Sequence, residues 1–267
     1  MGFDRKTVDL LAGLNRYRNA VLRALNIPVF GSVLKRVMDR EGTVFTYIPV
    51  YEGIQVDPGT ALPITIAEQF IREASHRVLL SYCPCRRAMR CEAYEVNLGC
   101  IFLGEGAREI TAPEVGIPVG IEQGLNHLHR AVDAGLVPVV GKVKFDAAYL
   151  GVKAHHRLMT LCLCCPCCCL AGGIHVAPRD VRDVMVKLEG VEVRTTVHCR
   201  GCGTCVEACI FHQIKLVRGR AVIGEECKGC GRCARSCPNG AIEIRVENPE
   251  YDRQCVRRIA SYVHIGR

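Results

Sequence analysis

Hydrophobic residues recur along the chain at two periods, and each period predicts one kind of element. Apolar positions at helical spacing indicate a helix over 7–25 that Pro28 ends, and further helices over 33–38, 64–74, 118–134, 180–189 and the last twenty residues. Short apolar runs indicate strands over 44–50, 76–82 and 136–143. The two kinds of element together predict an α+β fold.

The composition is that of a globular protein. Of 267 residues, 49% are hydrophobic and 23% are charged, which excludes a disordered or collagen-like chain. Residues 1–6 show no apolar export segment, and no uncharged run reaches the roughly 18 to 20 residues that span a bilayer. We therefore expect a cytoplasmic protein whose thiols stay reduced.

Cysteine is the exception in this composition. The chain has 19 cysteines, and an odd number cannot all pair as disulfides. In a reducing compartment, cysteines at this density hold metal more often than they form disulfides. Their spacing then decides which kind of metal centre they suit.

The C-terminal part contains a cysteine repeat. Each unit reads C-x2-C-x2-C-x3-C, first over 199–209 and again 28 residues later over 227–237. A short apolar strand pattern follows each unit, and Gly219 lies at a turn between the halves. Two-residue spacings that contain a glycine let three thiolates converge on one cubane, while the fourth cysteine reaches a second cluster.

This repeat resembles the bacterial-type ferredoxins that carry two [4Fe-4S] clusters, and the resemblance covers residues 191–246. It implies that the ligands of the first cluster are Cys199, Cys202, Cys205 and Cys237, and that those of the second are Cys227, Cys230, Cys233 and Cys209. One departure is Ile210, which stands where the first repeat usually has proline. Zinc in two four-thiolate sites is the alternative with the same ligand chemistry.

Ten of the other cysteines form two groups, and Cys255 stands alone. The first group follows the strand predicted over 76–82, where we expect a C-P-C turn and a short helix through 91–94; the second packs six thiols into eight residues. Pro166 breaks any regular strand in this run, so one metal centre cannot use all six. The two groups are Cys83, Cys85, Cys91 and Cys100, then Cys162, Cys164, Cys165, Cys167, Cys168 and Cys169.

Two interpretations of these ten thiols stay open. They are ordinary buried thiols, or they hold one or two further iron-sulfur clusters that bridge the two groups. The C-x-C-R motif at 83–86, the Ala-Gly-Leu-Val segment at 134–137 and the cysteine run resemble a set of anaerobe iron-sulfur proteins, which implies iron-sulfur binding and no particular reaction. A fainter likeness to cysteine-rich subunits of heterodisulfide reductases lacks the glycine after their vicinal pair.

The resemblances also predict how the chain is divided. We expect a mixed helical and stranded, cysteine-rich iron-sulfur domain over 1–178, a linking helix over 179–190, a two-cluster ferredoxin domain over 191–246 and a basic helical tail over 247–267. Cys255 in that tail is expected to be a plain thiol.

The net charge supports metal clusters more than nucleic acid. The formal charge is +8, from 35 basic and 27 acidic residues. A [4Fe-4S]2+ core with four thiolates carries −2, so two clusters lower the charge to about +4 and four lower it to about zero. We therefore expect no nucleic-acid partner, and peripheral membrane contact through the basic N-terminal helices is not favoured.

The main functional hypothesis is an electron carrier. It would relay single electrons between two ferredoxin-type clusters, an N-terminal cysteine centre and a partner redox enzyme or oxidoreductase complex. One alternative is an oxidoreductase subunit whose N-terminal centre reduces a disulfide or a small molecule, with Arg86, Arg87 or His155 beside an open cluster. A redox-sensing regulator is the other.

Overall fold

The structure is a computed structural model that describes residues 2–27, 42–50, 53–58 and 60–266. The α-helices are α1 (Arg5–Ala12), α2 (Arg18–Ala24), α3 (Ile64–Glu73), α4 (Pro84–Ala88), α5 (Ile121–Asp133), α6 (Lys144–Leu150), α7 (Arg179–Arg182), α8 (Thr204–Ala208), α9 (Arg232–Arg235) and α10 (Tyr251–Ala260). The strands are β1 (Thr43–Tyr47), β2 (Ile54–Val56), β3 (Arg77–Leu80), β4 (Ile101–Leu103), β5 (Gly116–Pro118), β6 (Val137–Val143), β7 (Met159–Cys164), β8 (Met185–Val186), β9 (Val191–Thr195), β10 (Ile214–Val217), β11 (Arg220–Ile223) and β12 (Ile242–Val246). Short 3-10 helices span Gly13–Tyr17, Glu105–Glu109, His155–Arg157 and Leu170–Val176.

Seven strands form the main sheet, in the order β5-β3-β4-β7-β6-β1-β8. Strand β4 is antiparallel to both β3 and β7, so β3 and β7 run in the same direction. The carboxyl ends of β3 and β7 therefore meet at the same end of the sheet as the start of β4. Cys83 follows β3, Cys100 precedes β4 and Cys164 ends β7, so this topology gathers cysteines that are distant in sequence.

The two faces of β7 bury different side chains, because side chains alternate along a strand. Leu161 and Leu163 lie in the core beneath the sheet, together with Phe70 of α3 and Leu128 of α5. Cys164 packs on the other side with Tyr47 and its neighbours. One face of the strand is thus used for the core and the other for thiols.

The C-terminal repeat forms a smaller sheet and a hairpin. Strand β12 pairs with β9 in antiparallel register and with β2 in parallel register, while β10 and β11 form the hairpin. Arg218 and Gly219 both have positive φ at the hairpin turn, the conformation that two-residue hairpin loops favour. Strand β2 comes from the N-terminal part of the chain, so the repeat shares a sheet with it.

The α+β prediction is confirmed, and most predicted elements are present. The predicted helix over 7–25 is divided into α1 and α2 by the 3-10 helix at Gly13–Tyr17. The C-terminal helix is present as α10, and its inner side buries Tyr251, Cys255 and Ile259. The helix predicted over 33–38 lies outside the described residues.

Two predicted helices are wrong in their extent. In place of the helix predicted over 180–189, the chain forms the short helix α7 and then β8. The reason is that the apolar residues after Asp183 pair with β1: Phe45 aligns with Met185, and the Phe45 N–H donates to the carbonyl of Val184. The helix expected through 91–94 lies earlier, at Pro84–Ala88, because Cys83 caps it and Pro84 occupies its first turn. The domain boundaries remain a prediction.

Candidate metal centres

One cavity is lined by the four cysteines of the first C-terminal set, which are Cys199, Cys202, Cys205 and Cys237. Gly201 and Gly203 have φ of 69° and 85°, a left-handed backbone that glycine adopts without strain and that lets the loop bend around this cavity. The N–H of Ala221 donates to Cys199 Sγ (3.4 Å) and that of Ala241 to Cys237 Sγ (3.2 Å). Backbone donors at ligand sulfurs are a feature of iron-sulfur sites, where they help to set the potential.

The second C-terminal set is Cys209, Cys227, Cys230 and Cys233. Burial is the main cause that raises the pKa of Cys230 to about 11; Arg232 opposes this rise, and Cys227 and Cys209 add to it. The N–H of Gln213 donates to Cys209 Sγ at 3.3 Å. Each set thus takes its fourth cysteine from the other repeat. Ile210, at the position of the missing proline, is 9% exposed.

A third group of thiols lies at the end of the main sheet. Its Sγ atoms approach each other at 3.6 Å between Cys100 and Cys162 and at 2.9 Å between Cys164 and Cys169. The Cys83 thiol hydrogen-bonds with those of Cys85 and Cys100, and the Cys162 thiol with that of Cys164. We call this the six-thiol group: Cys83, Cys85, Cys100, Cys162, Cys164 and Cys169.

A fourth set, the four-thiol group, is Cys91, Cys165, Cys167 and Cys168. Its four sulfur atoms all lie within 4.8 Å of one another. The run of six cysteines is thus divided equally between the two N-terminal groups, because the strand ends at Cys164 and the chain turns at Pro166. Neither of the two groups contains all six cysteines of the run.

A buried arginine lies against the six-thiol group. Arg86 is 1% exposed, and its guanidinium donates to the carbonyls of Leu163 (2.8 Å) and Leu98. Among the ion pairs of the described residues, none joins Arg86 to a carboxylate. Burial alone would lower the pKa of Arg86, but thiolates at Cys83 and Cys100 outweigh it and raise that pKa. Anionic sulfur nearby would stabilise a buried cation of this kind.

Two thiols of the six-thiol group have lowered pKa values. Hydrogen bonds from Cys100 and Cys85 hold the pKa of Cys83 well below its usual range, in spite of burial. At Cys164, hydrogen bonds from Cys162 and Cys169 lower the pKa in the same way, and Arg232 adds to the effect. Thiolate is the form that binds metal, so the group is chemically suited to a metal centre.

Arg232 and Tyr47 connect the second C-terminal set to the six-thiol group. Arg232 lies between Cys230 and Cys233 in sequence, is 8% exposed, and donates to the carbonyl of Cys164 at 2.6 Å. Burial raises the pKa of Tyr47 well above its usual value, and Cys169, Cys164 and Cys230 add to this shift. Tyr47 is thus close to thiols of both centres.

Sequence reasoning missed Arg232, Tyr47 and Asp146. Burial raises the pKa of Asp146 to about 7, and Cys164 and Cys83 are among the groups that act on it. The available signal for Arg232 was its position inside a C-x2-C spacing, where a charged residue becomes part of the ligand loop. Tyr47 and Asp146 carried no such signal, because β1 and α6 are distant in sequence from every cysteine.

The comparison with known proteins bears on the C-terminal repeat. Residues 221–243 match the family model described as a 4Fe-4S binding domain, a segment that includes Cys227, Cys230, Cys233 and Cys237. No curated protein and no solved structure matches the chain. The match to residues 221–243 indicates 4Fe-4S binding by the C-terminal repeat. The match and the abundant cysteines together indicate iron-sulfur electron transfer in general.

Among the described residues, no helix is both long enough and apolar enough to cross a bilayer.

Proposed function

We propose that the protein is an electron carrier in which two [4Fe-4S] clusters, one in each C-terminal set, exchange electrons with an N-terminal redox centre in the six-thiol group. The clusters supply one-electron chemistry, and the protein supplies ligands, insulation and charge. A partner redox protein would deliver or accept the electrons. The ligand sets of the proposed clusters are those described above for the first and second C-terminal sets.

The observation that carries this proposal is the hydrogen bond from Arg232 to the Cys164 carbonyl. Arg232 belongs to the loop that contributes Cys230 and Cys233, whereas Cys164 belongs to the six-thiol group. Cys164, Cys230, Tyr47 and Phe211 also lie in one packed cluster. Two centres in direct contact through a buried side chain suit electron transfer between them, and an isolated storage site would not need this contact.

The test is the substitution Arg232→Gln, followed by an anaerobic redox titration with detection by EPR. It removes a cation next to two anionic centres and leaves every cysteine in place. Since reduction adds negative charge, we expect the midpoint potentials of both neighbouring centres to become more negative. The control is Arg235→Gln, the same change on the exposed side of α9, which should shift neither potential.

Two results would contradict the proposal. In one, Arg232→Gln shifts a single potential, which would mean that the six-thiol group holds no centre beside it. In the other, the fully loaded wild-type chain contains only about eight irons, the content of two cubanes.

A second function is favoured by the distance of 2.9 Å between the sulfurs of Cys164 and Cys169. Two thiols this close suit the reduction of a substrate disulfide: a disulfide forms between them, the substrate disulfide opens to two thiols, and the clusters return the two electrons singly. Cys169→Ser should then abolish the consumption of a small-molecule disulfide by the reduced protein. Cys255→Ser should not, and unchanged consumption by Cys169→Ser would exclude this function.

A further inference from the structure

The four-thiol group joins two segments that have little regular structure. Cys91 lies in the irregular stretch between α4 and β4, and Cys165, Cys167 and Cys168 form the turn after β7. The Sγ of Cys167 lies 3.6 Å from that of Cys91 and 3.6 Å from that of Cys168. The sulfurs therefore close a compact cage between the two segments.

The size of this cage suits a single metal ion. With a zinc–sulfur bond of about 2.3 Å, tetrahedral geometry places the four sulfurs about 3.8 Å apart. A cubane binds its four thiolates at separate outer corners, so it needs a wider set. Among the described residues, the four-thiol group is the one set of three or more metal-binding side chains whose ligand atoms all lie within 4.8 Å. The two C-terminal sets are wider, as cubanes require.

The surroundings of the cage fit an anionic site. The N–H of Cys168 donates to Cys165 Sγ at 3.3 Å. From the N-terminal helices, the Asn15 amide donates to the Cys168 carbonyl (3.0 Å), and the Arg18 guanidinium donates to the carbonyls of Cys167 (3.1 Å) and Cys168. Four thiolates around a divalent ion carry −2, so Arg18 holds the turn in place and also supplies a compensating charge.

We propose that Cys91, Cys165, Cys167 and Cys168 bind one tetrahedral metal ion, and that this ion fixes the segment after α4 to the turn after β7. Zinc is the expected ion, since a closed site of four thiolates is typical of structural zinc. The site would stabilise the loops that carry part of the six-thiol group. The proposal does not depend on the proposed electron relay.

The test is metal analysis of the full-length protein, prepared without oxygen, as wild type and with Cys91→Ser. We expect the variant to lose one zinc per chain while the EPR signals of the C-terminal clusters stay unchanged. Loss of one iron in place of zinc would also support a single-ion site. Cys255→Ser, which removes a buried thiol outside all four cysteine sets, should lose no metal.

Cys167→Ser provides a second variant, because Cys167 is exposed and its substitution leaves the core unchanged. If cobalt replaces zinc in the wild type, tetrahedral thiolate–cobalt absorption bands should appear, and they should be absent in this variant. Loss of about four irons in either variant would overturn the proposal in favour of a cubane, and unchanged metal content in both would overturn it altogether. The EPR signals of the C-terminal clusters test the proposed electron carrier, so its failure can be told apart from failure of the single-ion site.

Discussion

A guanidinium that is 1% exposed and hydrogen-bonded to carbonyl groups needs a negative charge close by. The groups around Arg86 are thiols, and thiolate at Cys83, followed by Cys100, raises the pKa of Arg86 against the effect of burial. Metal binding requires deprotonated thiols, so a cation buried against these sulfurs favours the form of the group that binds metal. Substitution of Arg86 therefore tests the two interpretations of these residues, a metal centre and a set of ordinary buried thiols.

Arg86→Gln tests this at the scale of one residue. The substitution keeps a polar side chain but leaves the buried anionic sulfur without its cation, so we expect the free energy of unfolding to fall by about 3–5 kcal/mol. The measurement is denaturant unfolding of the metal-loaded protein without oxygen. Arg87→Gln is the matched control: its side chain is 40% exposed and pairs with Asp9 at 3.0 Å, so its loss should cost less than about 1 kcal/mol.

Equal effects of the two arginine substitutions would mean that Arg86 has no anionic partner. The six-thiol group would then be a set of neutral thiols, and the N-terminal centre of the proposed electron carrier would be lost.

At the scale of elements, β12 supports the loop of the second C-terminal set. Ile244 on β12 is fully buried, and its Cδ1 lies 3.2 Å from the place that a Cβ on Gly231 would occupy. Gly231 precedes α9, which carries Cys233. On its two edges, β12 pairs with β2 and β9, so this support involves both the N-terminal and the C-terminal parts of the chain.

Ile244→Ala should therefore weaken both the fold and cluster binding. We expect a loss of about 2–5 kcal/mol in the free energy of unfolding, the usual cost of a cavity at a buried isoleucine, and a lower visible absorption from iron-sulfur charge transfer. Arg245→Ala changes the next residue of the same strand, whose side chain is 44% exposed and pairs with Glu243. It should leave both measurements nearly unchanged, and a similar loss in the two variants would contradict the role of Ile244.

The same elements show what the sequence could predict. Periodicity located α3, α5 and β6, because each carries a long apolar pattern that belongs to one element. It failed over 180–189, where the apolar residues at 184–186 extend the main sheet beside β1. Strand pairing of this kind depends on a partner distant in sequence, so no local pattern reveals it.

For the cysteine sites, too, the sequence predicts the local geometry but not the contacts between distant segments. The C-x2-C-x2-C-x3-C spacing determines its own local geometry, and the thiols of each C-terminal set lie near one another in the structure. The division of the run at 162–169 into two groups depends on where β7 ends. It also depends on which loop faces the turn after β7, namely the stretch between α4 and β4 that carries Cys91. Cys169 lies with Cys164 while Cys168 lies with Cys91, and this arrangement results from the folding of the chain and not from the spacing of the cysteines.

For the whole molecule, one core extends through both halves of the chain. The same packed cluster includes Val140 and Leu161 of the main sheet and Ile242, Tyr251 and Ile259 from the C-terminal part. The Tyr251 hydroxyl donates to the Ala61 carbonyl at 2.6 Å, which ties α10 to the segment before α3. A shared core of this kind favours cooperative unfolding over the separate unfolding of two domains.

We therefore predict that the metal-loaded protein unfolds in a single transition. In urea and without oxygen, the far-ultraviolet circular dichroism, which reports on all helices, should change together with the visible absorption of the proposed C-terminal clusters. Removal of iron by a chelator should shift the whole dichroism transition to a lower urea concentration, because metal binding contributes to folding free energy.

If instead the visible absorption were lost first, with most of the dichroism intact, the C-terminal repeat would unfold as an independent domain. The pairing of β2 with β12 and the contact of Tyr251 with Ala61 would then contribute little to stability. Direct contact between the two halves is also what the proposed relay requires, because the Arg232–Cys164 contact exists only while both are folded together. A single transition would mean that the centres on either side of that contact form and are lost as one unit.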